Sequence, residues 1–304
     1  MTPPSSFSSP SSSPPPPSSS SSAPSSSSPG LVRRLLAAQH PDLDGPVRLV
    51  ASGWDNDIYR LGPSLSVRLP RRAEAVPLMH NEQRWLPVLR PVLPVAIPDI
   101  LRQGAPDALY PWPWSINTWL PGTPATGVPV PGRLSFAADL AAFMSALHVP
   151  APADAPSNPV RGVALSTRSE AMDRRFATGR VPPALRPLWN ELVRIPAWTG
   201  PRLWLHGDPH PANMLVGEDG RLSGIVDFGD LTAGDPATDL AAAWLAFDAP
   251  ARSVFRAALD VDDATWERAR GWALNIGAAI AADVDPTPEM AAIAEHALRE
   301  VQLP

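Results

Sequence analysis

Asp208, Asn213 and Asp227 are three oxygen-bearing side chains within one stretch, LWLHGDPHPANMLVGEDGRLSGIVDFGD, Leu203 to Asp230. The stretch holds three short apolar runs, LWL, MLV and SGIV. Between the second and third, Glu218-Asp219-Gly220 is a turn signal of the kind that closes a β-hairpin. In that hairpin Asn213 begins the first strand and Asp227 ends the second, so antiparallel pairing brings both to one end of the ribbon. Asp208 lies five residues before Asn213, on the loop that enters the hairpin. A carboxylate, an amide and a second carboxylate gathered there suit phosphoryl transfer. One group orients the attacking hydroxyl, and the others are hard oxygen ligands for a Mg²⁺ bridging the phosphates. His206 reads as a brace for the loop rather than a base, and His210 fits either a phosphate contact or simple packing. His206, Asp208 and His210 also have the residue types of a zinc site, but zinc gives the DFG segment no role.

His206-x-Asp208, Asn213 and Asp227-Phe228-Gly229 look like the catalytic and metal-binding loops of protein-kinase-like enzymes. The wording HGDPHPAN, DFGD and GDPATDLA resembles the aminoglycoside phosphotransferase family more closely, since protein kinases carry Arg where Gly207 stands. The resemblance implies an α+β, protein-kinase-like fold of two lobes. An N-terminal β-sheet lobe would carry one long helix, and a mainly helical C-terminal lobe would carry the catalytic hairpin. It implies ATP as donor, with GTP open, and Mg²⁺ held by Asn213 and Asp227. Asp208 would accept or orient the proton of the acceptor hydroxyl. Arg68 stands where the third strand should bring a phosphate-gripping lysine, and none is nearby; a guanidinium can take over by binding phosphate in bidentate fashion. Glu82, on the next helix, would pair with Arg68 and orient it. Ser52 and Asn56 flank a loop with a single glycine, and would compensate for missing backbone contacts to the phosphates. Backbone groups around Trp119, Leu120 and Pro121 would receive the adenine.

The wording GWDNDIYRLG, VRLPRR and NEQRWLP resembles the branch that contains antibiotic kinases for aminoglycosides and macrolides. The same fold serves kinases of choline, homoserine and sugars, so it does not fix the acceptor. The glycine-poor loop and absent lysine also leave open a nucleotide-binding protein without catalysis. An aminoglycoside pocket would need acidic residues at the cleft; Asp230, Asp235 and Asp248 are available, though surface or capping roles explain each.

These side chains need a scaffold, and the chain has 304 residues, enough for one large domain or two lobes sharing a cleft. Residues 31–121 read as the nucleotide-binding lobe and 122–304 as the catalytic and substrate-binding lobe. Residues 1–30, almost entirely Ser and Pro, read as disordered, and translation starting near Val32 would remove them. A net charge of −5 argues against a nucleic-acid binder that works by broad phosphate neutralisation. No cysteine is present, which excludes disulfides and thiolate zinc sites and fits the cytoplasm. No apolar run approaches the roughly 20 residues needed to cross a bilayer. The expectation is a soluble monomer or homodimer whose partner is a small hydroxyl compound.

Strands are expected at Val47–Ala51, Asp57–Leu61, Leu65–Leu69 and Trp112–Leu120, and helices at Leu31–Gln39 and Leu78–Leu89. Pro91–Pro98 reads as a connector, and Trp112 and Trp114 as core. Leu134–His148 reads as a helix, with Phe136, Leu140, Phe143 and Leu147 on one face and His148 at its end. Further helices are expected over 165–176, 184–194, 239–245, 263–282 and 288–301, with Asp239 capping a helix start. Arg71 and Arg72 read as surface charge.

Overall fold

Period-two alternation decides which way Arg68 faces. On β3 (Leu65–Pro70) the apolar Val67 and Leu69 point to one side of the sheet, so Ser66 and Arg68 must point to the other. The computed structural model, which describes residues 27–53 and 55–303, follows this rule across the N-terminal sheet. Val67 and Leu69 join Tyr59 and Leu61 of β2 (Asn56–Leu61) and Trp114 and Ile116 of β5 (Trp114–Thr118) in a core beneath helix α1 (Pro29–Gln39). Ile58, Ser66, Arg68 and Asn117 line the cleft on the opposite face.

The sheet is antiparallel, in the order β1-β2-β3-β5-β4, with β1 Val47–Ser52 and β4 Ile100–Gly104 at its edges. Between β3 and β4 runs α2 (Val76–Leu89), which buries Met79, Trp85, Leu86 and Leu89. It therefore carries Glu82 into the interior under the cleft face of the sheet.

After β5 the chain turns through β6 (Thr123–Pro124) into a mainly helical part. β6 pairs with β8 (Met214–Val216), which pairs in turn with β9 (Leu222–Ile225); β7 (Leu203–Leu205) pairs with β10 (Thr232–Gly234). Around these short ribbons pack α3 (Ala137–Leu147), α4 (Ser169–Ala177), α5 (Arg186–Leu192), α6 (Ala237–Leu240) and α7 (Ala242–Ala246). The C-terminal helices are α8 (Ala249–Ala257), α9 (Asp263–Ala281) and α10 (Pro288–Glu300). Phe136, Leu140, Phe143 and Leu147 are all fully buried, as a core stripe requires. The architecture is α+β, with an antiparallel sheet first and helices after. Among the described residues, no helix is long and apolar enough to cross a membrane.

The expected elements recur with edges moved by a few residues, while β4, β6, β10 and α8 lack a forerunner in the sequence reading. β4 is an edge strand whose Leu101, Arg102 and Gln103 are exposed, so it has no alternation to detect. α8 opens at Asp248, whose carboxylate accepts from the Ala251 amide, and it follows a helix that the structure breaks into α6 and α7. The disorder expected for residues 1–30 lies almost wholly outside the described residues.

Candidate active site

The hairpin forms as its turn residues dictate. Met214 pairs with Ile225 and Leu215 with Gly224, and Gly220 closes the turn with φ 77°. The Val226 amide donates to the Asn213 carbonyl at 2.9 Å, which brings Asn213 and Asp227 to the same end of the ribbon. Asp227 has φ 65°, the left-handed region that non-glycine residues avoid, and it is alone in this among the described non-glycine residues.

The loop between β7 and β8 is clamped from behind. Asp239, fully buried on α6, accepts the backbone amides of His206 at 2.7 Å and Gly207 at 2.8 Å. His148, at the end of α3, contacts the same carboxylate at 3.2 Å. A capping bond is the local expectation for Asp239; its carboxylate instead holds the loop between β7 and β8. The fully buried His206 ring lies 3.0 Å from the Val226 carbonyl through Nε2, while its Nδ1 accepts the Asp208 amide at 3.2 Å. That tautomer, Nε2 donating and Nδ1 accepting, ties the loop to the hairpin. Gly207 has φ 93°, and a Cβ there would sit 2.2 Å from the Asp230 carbonyl oxygen, which excludes the arginine of protein kinases.

Asp208, Asn213 and Asp227 line one side of a cavity of about 730 Å³, and Arg68 and Asn56 line it from the sheet. Asn213 donates its amide nitrogen to the Asp208 carbonyl at 3.0 Å, leaving its oxygen as the atom suited to a cation. Arg68 is buried and bridges two elements: NH1 meets Glu82 at 2.8 Å and NH2 meets Asp227 at 3.2 Å. Burial pushes the Glu82 carboxyl up to about 6 against the opposing pull of Arg68, and Glu82 also accepts the Phe228 amide. The chain contains no lysine, so every cation here is Arg or His.

The remaining expected residues divide. Trp119 and Leu120 line the cavity, with the Arg60 guanidinium 4.1 Å from the Trp119 ring centre. The Trp119 amide already donates to the Ser64 carbonyl at 2.7 Å, so it is committed within the protein. Ser52 does not line the cavity; its hydroxyl donates to Asp57 at 2.6 Å. Ser52 is thereby turned toward the base of the β1–β2 loop. Arg71 and Arg72, read as surface charge, latch that loop. The Arg71 amide donates to the Asp55 carbonyl at 2.8 Å, and Arg72 Nε donates to the Asp55 carboxylate at 2.8 Å.

Sequence reasoning missed Arg161. It comes from the loop between α3 and α4 and sets its NH2 3.2 Å from Asp208 Oδ1 and 3.5 Å from Asp230 Oδ2. His210 Nε2 lies 3.3 Å from the other Asp208 oxygen. Burial alone would raise the Asp208 carboxyl; His210 and Arg161 outweigh it and hold the group well below the usual carboxylate range. Burial opposes protonation of His210, and the Asp208 charge overcomes it and pushes the imidazole up. No sequence pattern marks Arg161, because only the tertiary fold brings it to Asp208.

Among the described residues, no three His, Asp or Glu side chains are grouped to hold a metal on their own. One carboxylate and one amide oxygen instead suit a Mg²⁺ that takes its other ligands from phosphate and water.

The model of the phosphotransferase enzyme family matches residues 46–272. The chain belongs to that family. Among solved structures, APH(2″)-IIIa in its complex with GDP and kanamycin matches with a TM-score of 0.69 at 19% identity, covering 89% of this chain and 98% of that one. Macrolide 2′-phosphotransferase MphH from Brachybacterium faecium matches with a TM-score of 0.61 at 23% identity, covering 90% and 98%. At such identities the likeness concerns the fold. A curated relative, the uncharacterized protein YcbJ of Bacillus subtilis (strain 168), is 28% identical over 192 residues, 57% of this chain. The chain spans 60% of the length of that relative.

Proposed function

We propose that the protein is an ATP-dependent O-phosphotransferase that moves the γ-phosphate to a hydroxyl of a small molecule. One observation carries the reading. Asp208, Asn213 and Asp227 meet at one end of a hairpin and, with Arg68 in contact with Asp227, line a single cavity of about 730 Å³. Fold neighbours in complex with GDP, ADP or ATP support a nucleotide in that cavity.

In this reading Asp208 orients the acceptor hydroxyl toward the donor phosphate. His206 and Asp239 keep the loop in register, and Glu82 holds Arg68 where its guanidinium can grip phosphate oxygens. Asn213 and Asp227 hold Mg²⁺, which neutralises charge on the phosphates when bound. Asn56 and the latched β1–β2 loop cover the phosphates, and the strand end at Trp119 and Leu120 borders the base. The acceptor is a small alcohol; aminoglycosides, macrolides, choline, homoserine and sugars are the classes to compare.

The test is ADP release with Mg²⁺-ATP across those acceptors, with Asp208→Asn beside wild type. The variant is expected to lose about 10²–10⁴-fold in turnover while still unfolding cooperatively in urea and binding Mg²⁺-ADP. Full activity in the variant sinks the role of Asp208. ATP binding without transfer to any acceptor favours a nucleotide-binding protein instead.

A further inference from the structure

The acceptor end of the cavity is bounded by Asp208 and Asp230. Two carboxylates there would normally invite an amine, yet both are already partnered from inside the protein. Arg161 reaches them together, at 3.2 and 3.5 Å, and Asn158 Nδ2 donates to the other Asp230 oxygen at 2.7 Å. The loop that delivers Arg161 is built for this. Gly162 donates to Thr238 Oγ1 at 3.0 Å and accepts from the Asp235 amide at 3.0 Å. Its φ of 67° and a Cβ that would sit 2.8 Å from Leu205 Cδ1 and 3.2 Å from the Gly234 Cα favour glycine here. The two other acids that an amine-binding pocket could have used are also committed. Asp235 is buried against Arg268 at 2.8 Å, and Asp248 caps α8.

Burial lowers Arg168, and the nearby Arg161 and Arg174 lower it further, so the α3–α4 segment brings a second guanidinium close to Arg161. The Nε atoms of Arg161 and Arg168 are buried without a partner.

Resting on the phosphotransferase reading, we infer that Arg161 fixes the charge class of the acceptor: it fills the Asp208–Asp230 pair with an internal cation and turns away polyamines. The acceptor is therefore a hydroxyl compound with no ammonium group beside the reacting oxygen, of the neutral sugar type. An incoming ammonium would have to displace a guanidinium anchored by a rigid loop. Arg161 is thus a specificity-determining residue, acting through the two carboxylates it occupies.

The experiment is calorimetric titration of kanamycin, a polyamine sugar, into the full chain saturated with Mg²⁺-ADP. Wild type and Arg161→Lys, which keep the internal cation, are expected to bind no more tightly than about millimolar. Arg161→Gln is expected to bind at least about tenfold more tightly, and Arg161→Gln with Asp230→Asn to lose that gain. ADP affinity equal to wild type in each variant verifies the fold. Micromolar kanamycin binding by wild type overturns the inference, and so does an Arg161→Gln variant that gains nothing. Binding is read without turnover, so a chain that transfers phosphate to no alcohol fails the proposed function while this result stands apart.

Discussion

Removing the Asp239 carboxylate should damage stability and turnover together. Asp239 is fully buried, and its two oxygens take the His206 and Gly207 amides at 2.7 and 2.8 Å. Asp239→Ala leaves both amides in the interior without an acceptor. Each unsatisfied buried donor costs about 1–3 kcal/mol, so the pair predicts a loss of about 4 kcal/mol. Against a typical domain stability of about 5–15 kcal/mol, that is about a quarter or more of the total. Asp239→Asn keeps one acceptor oxygen and turns an NH₂ toward the second amide, so about half the loss is expected. Urea unfolding gives the stabilities, and ADP release gives kcat. Because the clamp positions the backbone next to Asp208, kcat should fall by about 10²-fold, the scale of a displacement near 1 Å. An Asp239→Ala protein with the wild-type urea midpoint and kcat refutes the clamp.

Two further perturbations test the opposite sides of the cleft. Glu82 stands at about 6 in the folded protein against an ordinary 4.5. A raised carboxyl contributes stability that is full below about pH 4.5 and is lost as pH rises through about 6, a change of about 2 kcal/mol. The wild-type minus Glu82→Gln difference in unfolding free energy of the nucleotide-free protein should trace that loss, and a flat difference across the window rejects it. Turnover should run the other way, falling below about pH 6 as the carboxylate that orients Arg68 is neutralised. Gly207→Ala should cost at least about 2 kcal/mol and depress kcat, from strain at φ 93° and a clash with the Asp230 carbonyl. Wild-type behaviour of that variant would mean the turn is not as tight as described.

The hairpin was legible because its signals are local. Apolar runs, a turn with Gly220 and polar residues at one end suffice to bring Asn213 and Asp227 together. Alternation on β3 likewise made Arg68 a cleft residue, since Val67 and Leu69 claim the opposite face. What stayed hidden is tertiary. Asp239 looked like a helix cap because a carboxylate near a helix start has a sufficient local explanation, and only packing puts the β7–β8 loop against it. Ser52 looked like a phosphate contact, but the direction of its hydroxyl is set by Asp57 across the β1–β2 loop. Arg71 and Arg72 followed a strand and read as solvated charge, while the chain's return brings Asp55 within reach. Arg161 had no pattern to offer, because its partners are set by the fold alone.

The surroundings of Asp208 bear on how it works as well as what it binds. A general base is most effective when its proton affinity lies near the working pH, and Asp208 is far from that condition. Burial would have raised its proton affinity, yet Arg161 on one oxygen and His210 on the other drive it well below the usual carboxylate range. A carboxylate so stabilised as an anion gains little by taking a proton early. It can still fix the hydroxyl by accepting its hydrogen bond, and phosphoryl transfer through a loose transition state asks for that alignment more than for early proton removal. The same two groups that weaken Asp208 as a base hold its carboxylate in one orientation. In the proposed reaction, Arg161 and His210 trade basicity for alignment.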